Sequence, residues 1–296
     1  MKNFQGTGVA MITPFKNDTS IDFKALERVV EHIIGGGVNY LVLMGTTSEA
    51  ATLGPEEKEA VISYVKEVNN NRIPLVLGIG GNNTHHVVDT VLRTDFSGIS
   101  GILSVTPYYN KPGQKGIYQH FKAIAEACPV PIILYNVPTR TSSNIDAETC
   151  TSLAWDFNNI VAIKEASGNL NQVMHIRRDA PDDFVIVSGD DMITLPMISM
   201  GCNGVISVLG NAFPCEWSEM VKLALKGNFK QASELHYKYL ELIELLFIDG
   251  NPAGVKAALN SLGICQPTVR LPLTVASRNT SNRISGIIED LKLKAQ

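Results

Sequence analysis

The chain has 296 residues, 45% hydrophobic and 18% charged, with a formal net charge of −4 at neutral pH. That balance is ordinary for a protein with a large core, and the length suits one α/β barrel or two small domains. It provides no basic stripe for nucleic acid, and no apolar run approaches the ~20 residues that span a bilayer.

The opening stretch, MKNFQGTGVAMITPF, lacks a continuous apolar run followed by a small-residue cleavage site, so it reads as a first strand and not a secretion signal. Short β-rich runs then recur with helical patterns between them. They are GTGVAMITPF from Gly6, NYLVLMG from Asn39, IPLVLGIGG from Ile73, ISGILSVTP from Ile99, VPIILYNVP from Val130, NIVAIKEAS from Asn159, FVIVSGDD from Phe184 and GVISVLGN from Gly204. Between them, FKALERVVEHII sets Leu26, Val29, Val30 and Ile33 on one helical face, and PEEKEAVISYVKEV opens with proline and acids, as a helix N-terminus favours. Strands alternating with helices imply right-handed crossovers and a parallel sheet. Eight such units, apolar on both faces, favour a closed (β/α)8 barrel over an open sheet.

Past Phe213 the strand signal stops. CEWSEMVKLALKG reads as the eighth barrel helix, and NFKQASELHYKYLELIELLF, NPAGVKAALNSLG and NRISGIIEDLKLK as a C-terminal helical appendage. The expected division is residues 1–226 for the barrel with its active site and 227–296 for the appendage. Cys128, Cys150, Cys202, Cys215 and Cys265 form no C-x-x-C pair and are odd in number, which fits reduced thiols of a cytoplasmic protein.

In such a barrel the chemistry sits where strands end. The polar residues there are Thr46, Thr47 and Glu49 after strand 2, Tyr108 and Tyr109 after strand 4, Tyr135 and Arg140 at strand 5, Lys164 at strand 6, and SGDD at strand 7. Lys164 ends the apolar run Ile160–Ile163. Strands 5 and 6 are neighbours about 4.8 Å apart, so Tyr135 and Lys164 are expected to face one another. Burial without a counter-charge favours a neutral amine, the form that attacks a ketone to make a Schiff base. The plainer alternative is a Lys164–Glu165 surface pair, but adjacent strand residues point to opposite faces. His85 and His86 lack ligand spacing, so no metal is expected. GIGGNN carries Asn83 where a dinucleotide loop has its last glycine, and no cofactor is expected. SGDD reads equally as a helix N-cap pair, and Tyr108 and Tyr109 equally as packing.

Together GTTSEAATL, TPYYNKPGQKGIYQHF, YNVPTRT, AIKEASGN, SGDD and GVISV resemble the class I, pyruvate-dependent aldolase and lyase superfamily, and within it the dihydrodipicolinate synthase family. The resemblance runs in order from GTGVAMITPF to VRLPLTVAS. It implies condensation of pyruvate with L-aspartate 4-semialdehyde to 4-hydroxy-tetrahydrodipicolinate, the first committed step towards diaminopimelate and lysine. By resemblance Lys164 forms the Schiff base, Tyr135 shuttles protons, and Thr46 and Tyr109 complete the relay, Tyr109 across a dimer interface. Thr47 would donate to the pyruvate carboxylate, Ile206 would contact pyruvate through its backbone, and Arg140 would take the carboxylate of the aldehyde. A homotetramer of tight dimers in the cytoplasm is implied.

The sister N-acetylneuraminate lyases and 2-keto-3-deoxy sugar-acid aldolases share the lysine and tyrosine, but Arg140 suits a small carboxylate better than a polyol. A non-catalytic keto-acid sensor is disfavoured by the full lysine–tyrosine–threonine set. Two departures stand out: Ser48 replaces a glycine that would be strained at positive φ, and Ala253-Gly254 replaces an aliphatic-proline pair. Feedback-sensitive members bind L-lysine beside the tyrosines, at positions matching Ala50, Ala51, Pro55, Lys58, Asn82, His86 and Tyr108. They typically carry a serine, two histidines and a glutamate where Ala50, Pro55, Lys58 and His86 stand, so weak or absent lysine inhibition is expected.

Overall fold

Each apolar run contains a strand in the computed structural model, which describes residues 4–293. The strands are β1 (Gly6–Ala10), β2 (Tyr40–Leu43), β3 (Leu75–Gly78), β4 (Gly101–Val105), β5 (Ile132–Asn136), β6 (Ile160–Glu165), β7 (Val185–Ser188) and β8 (Gly204–Ser207). All pair in parallel and in chain order, and β8 returns to β1 to close the barrel.

The connecting helices are α1 (Phe23–Gly35), α2 (Pro55–Asn69), α3 (Thr84–Arg93), α4 (Gln114–Ala127), α5 (Pro138–Thr141), α6 (Ala147–Asp156), α7 (Leu170–Asp179), α8 (Thr194–Ser199) and α9 (Pro214–Leu225). On α1, the expected face of Leu26, Val29, Val30 and Ile33 is buried. Side chains start several helices by satisfying free N–H groups. Asp22 accepts from Ala25 N, Asp146 from Thr149 N, and Asn83 from His86 N. Asn83 therefore caps α3, which is why GIGGNN departs from a dinucleotide loop.

Strand alternation sorts side chains into two cores. On β5, Ile132 and Leu134 join the layer between strands and helices, while Ile133 and Tyr135 fill the interior. The N-terminal end of the interior is plugged by Phe4 and Tyr40, ring centres 5.8 Å apart edge to face. Gly8 on β1 leaves the space for Tyr40, whose ring a Cβ there would strike. That end is filled by side chains, and the cavity described below opens at the opposite mouth.

The appendage comprises α10 (Phe229–Ile248), α11 (Ala253–Ser261) and α12 (Arg278–Leu293). The last helix starts earlier than the periodic stretch from Asn282, because Ser277 Oγ accepts from Thr280 N and caps it. Leu242, Ile243, Leu245 and Leu246 of α10 belong to the same buried layer as the barrel helices. The end of α10 leans over the barrel mouth. Among the described residues, no helix is long and apolar enough to cross a membrane.

Candidate active site

A cavity of about 320 Å³ opens at the C-terminal ends of the strands. Thr46, Thr47, Tyr135, Arg140 and Lys164, expected there from sequence, all line it. No histidine among the described residues does; the groups there able to carry a proton are hydroxyls, the lysine and the carboxylates of Asp190 and Glu244.

On β6, Ala162 and Lys164 turn inward, and Ile163 and Glu165 turn towards the helices. Tyr135 and Lys164 are register partners, and the lysine nitrogen lies 4.4 Å from the centre of the tyrosine ring. Lys164 is 5% exposed, and no ion pair among the described residues includes it. Glu165 is engaged on the far face. Its carboxylate accepts from Ser167 N at 2.6 Å, Gln172 Nε2 at 2.8 Å and Asn136 Nδ2 at 3.0 Å. The surface-pair alternative therefore fails, and an amine largely cut off from water faces the cavity, the setting of a nucleophilic lysine. Room for it comes from Gly189, where a Cβ would lie 2.9 Å from Lys164 Cε and 2.6 Å from Ala166 Cβ.

The rest of the rim is held by backbone-directed bonds. Thr106 Oγ1 donates to Tyr135 O at 3.0 Å and secures the end of β5. Pro138 opens α5, which carries Arg140 to the exposed edge of the mouth, where its guanidinium joins no ion pair among the described residues. In SGDD the N-cap reading holds for Asp190, which accepts from Met192 N at 2.9 Å while also lining the cavity. Asp191 is buried and accepts from Val208 N and Leu209 N, each at 2.9 Å, fastening the loop after β8. Burial pushes its carboxyl above the ordinary value, against the pull of those N–H groups.

Tyr109 and Ile206 do not line this cavity. Ile206 lies deeper, in the interior core, and Val208 is the residue after β8 that reaches the mouth. Tyr109 is 91% exposed on the loop after β4, at φ +75°. Glu49 also leaves the rim. Its carboxylate is buried against Lys256 Nζ at 2.5 Å and Arg270 N at 2.8 Å.

A model of the dihydrodipicolinate synthetase family matches residues 3–291. The chain belongs to the dihydrodipicolinate synthetase family. It is 55% identical over 284 residues to the 4-hydroxy-tetrahydrodipicolinate synthase of Flavobacterium psychrophilum, covering 96% of this chain and 97% of that one. The dihydrodipicolinate synthase structure from Aquifex aeolicus is similar with a TM-score of 0.94 at 41% identity, covering 98% of this chain and 99% of that one. A monomeric dihydrodipicolinate synthase variant is similar with a TM-score of 0.94 at 38% identity, over 97% and 96% of the two chains.

Both departures noted for this dihydrodipicolinate synthetase family chain are accommodated. Ser48 does not adopt a positive φ; the left-handed positions in its loop are Met44 and Glu49, at +55° and +54°. The Ser48 hydroxyl donates to Met11 O at 2.6 Å, so the added side chain ties the loops after β1 and β2 together. Gly254 sits where a Cβ would run into the Leu246 carbonyl of α10, which lets α11 pack closely. Sequence reading missed Gly189 and the appendage's share of the lining: Ile243, Glu244, Phe247 and Asn251. The tight turn FIDGNPAG marks where α10 stops, but nothing local says which mouth it faces.

Proposed function

We propose that this chain is a 4-hydroxy-tetrahydrodipicolinate synthase that joins pyruvate to L-aspartate 4-semialdehyde through a Schiff base on Lys164. The observation that carries the reading is the buried Tyr135–Lys164 pair, in register at the cavity mouth of a closed barrel. The names of the relatives favour it over the sugar-acid aldolases. The Lys164 amine attacks the pyruvate ketone, the carbinolamine loses the former ketone oxygen as water, and the protonated imine then serves as electron sink for loss of a methyl proton. The resulting enamine carbon attacks the aldehyde, and the substrate's amine displaces Lys164 as the ring closes. Tyr135 passes the protons, with Thr46 and Tyr109 as partners. Thr47 holds pyruvate, and Arg140 offers its planar fork to the second carboxylate.

The exposure of Tyr109 supports its service in a neighbouring chain's site, hence a tight dimer, paired into a tetramer. Free cysteines, four of them buried, fit a cytoplasmic protein. Borohydride reduction with pyruvate should add one reduced pyruvyl unit per chain, and Lys164→Ala should abolish it. An adduct of equal yield in that variant sinks the lysine assignment. A coupled assay with aspartate semialdehyde separates the synthase from its sister aldolases, which would leave that aldehyde unconsumed.

A further inference from the structure

The loop after β2 is held from a great distance along the chain. Asn251, between α10 and α11, directs its side-chain Nδ2 to Thr47 Oγ1 at 2.8 Å. Both residues are buried and both line the cavity. A hydroxyl carries one proton and two lone pairs. With one lone pair occupied by the Asn251 N–H, the Thr47 proton is left for an acceptor in the cavity. The neighbouring backbone has little freedom to change that arrangement. Thr13 Oγ1 donates to Ser48 O at 2.8 Å, and the Glu49 carboxylate is gripped by Lys256 and by the Arg270 N–H. The open variable is therefore the orientation of the Thr47 hydroxyl, and Asn251 sets it. The Asn251 carbonyl oxygen is itself buried and has no partner among the described residues, so the bond to Thr47 is the one that engages this amide there.

We propose that Asn251 is a positioning residue for the keto-acid carboxylate, acting through Thr47 by turning the hydroxyl proton towards it. This rests on Thr47 being the carboxylate donor in the function proposed above. The appendage is then part of the substrate-recognition apparatus, since it supplies the group that orients a barrel-loop hydroxyl.

A double-mutant cycle read by borohydride trapping tests it, with the pyruvate concentration for half-maximal trapping as the observable. Thr47→Val should raise that concentration roughly ten- to a hundredfold, as expected for loss of a hydrogen bond to a charged group. Asn251→Ala should raise it about tenfold while changing kcat at saturating pyruvate less than about threefold. In the Thr47→Val background, Asn251→Ala should add less than about twofold, because its route is already gone. Asn251→Asp keeps the shape but accepts the Thr47 proton, and should weaken pyruvate capture at least as much as Asn251→Ala with the melting temperature preserved. Multiplying effects in the cycle, or an Asn251→Asp protein with wild-type pyruvate dependence, overturns the proposal. Absence of any wild-type adduct instead overturns the Schiff-base reading itself, so the two failures are distinct.

Discussion

Replacing Gly189 by alanine tests whether the space beside Lys164 is a catalytic requirement. The new Cβ would lie 2.9 Å from Lys164 Cε, 3.1 Å from its Cγ and 2.6 Å from Ala166 Cβ. Carbon atoms rest about 3.5–4.0 Å apart, so these neighbours must give by roughly 0.4–0.9 Å to reach even the short end of that range. The lysine stem is the softest of them and will move most. A misplacement near 1 Å can cost about a hundredfold in rate, whereas overpacking by one methyl costs about 1–3 kcal/mol of stability. Gly189→Ala should therefore fold, melt several degrees lower, and form the pyruvate adduct some ten- to a hundredfold more slowly. Stopped-flow mixing with pyruvate followed by rapid borohydride quench gives the rate, and urea titration gives the stability. An unchanged rate in a protein destabilised as expected would refute the argument that Gly189 sets the position of the amine.

Lys256→Met strands the buried Glu49 carboxylate and should cost about 3–5 kcal/mol in urea unfolding; a loss under about 0.5 kcal/mol would count against a structural ion pair there. The Arg270 guanidinium holds the Glu57 carboxyl down to about 2 from an ordinary 4.5. Because the folded value is the lower one, this stabilisation is present above pH 4.5 and is lost as pH falls towards 2. Thermal melts across that range should fall less steeply for Glu57→Gln than for wild type, and parallel curves would contradict the pairing. Tyr109→Phe should cost activity, yet hybrid dimers of Tyr109→Phe and Lys164→Ala chains should regain some; verified hybrids with none would place Tyr109 in its own chain's service or none. L-lysine should inhibit weakly or not at all, since His86 and Lys58 replace the acid and the neutral ring that an ammonium ligand would meet, and Ala50 removes a hydroxyl. Half-inhibition below about 1 mM at neutral pH would show that other side chains have rebuilt the pocket.

The barrel was legible because its strands are buried on both faces and so stand out as unbroken apolar runs. The Tyr135–Lys164 pairing was legible because neighbouring parallel strands bring their ends together. The place of Glu49 was not legible: its carboxylate is buried against a partner 207 residues away in the chain. The one-turn helix that carries Arg140 is too short to show periodicity. Ile243, Glu244 and Phe247 were invisible as lining because amphipathic helices advertise a buried face without naming what covers it. Gly189 carried no signal either, since its importance lies in a side chain on another strand.

The fasteners of the loop after β2 also impose an order of events on synthesis. Thr47 and Glu49 are made early, while Asn251, Lys256 and Arg270 follow 204, 207 and 221 residues later. At roughly 5–20 residues per second, Lys164 leaves the ribosome several seconds before Asn251 does. On the function proposed above, a nascent chain thus owns its nucleophile before it owns the finished selector for that nucleophile's partner. On that reading competence arrives in the last fifth of translation, and a chain cut short after its eighth strand would carry the lysine with an unfinished means of choosing what it captures.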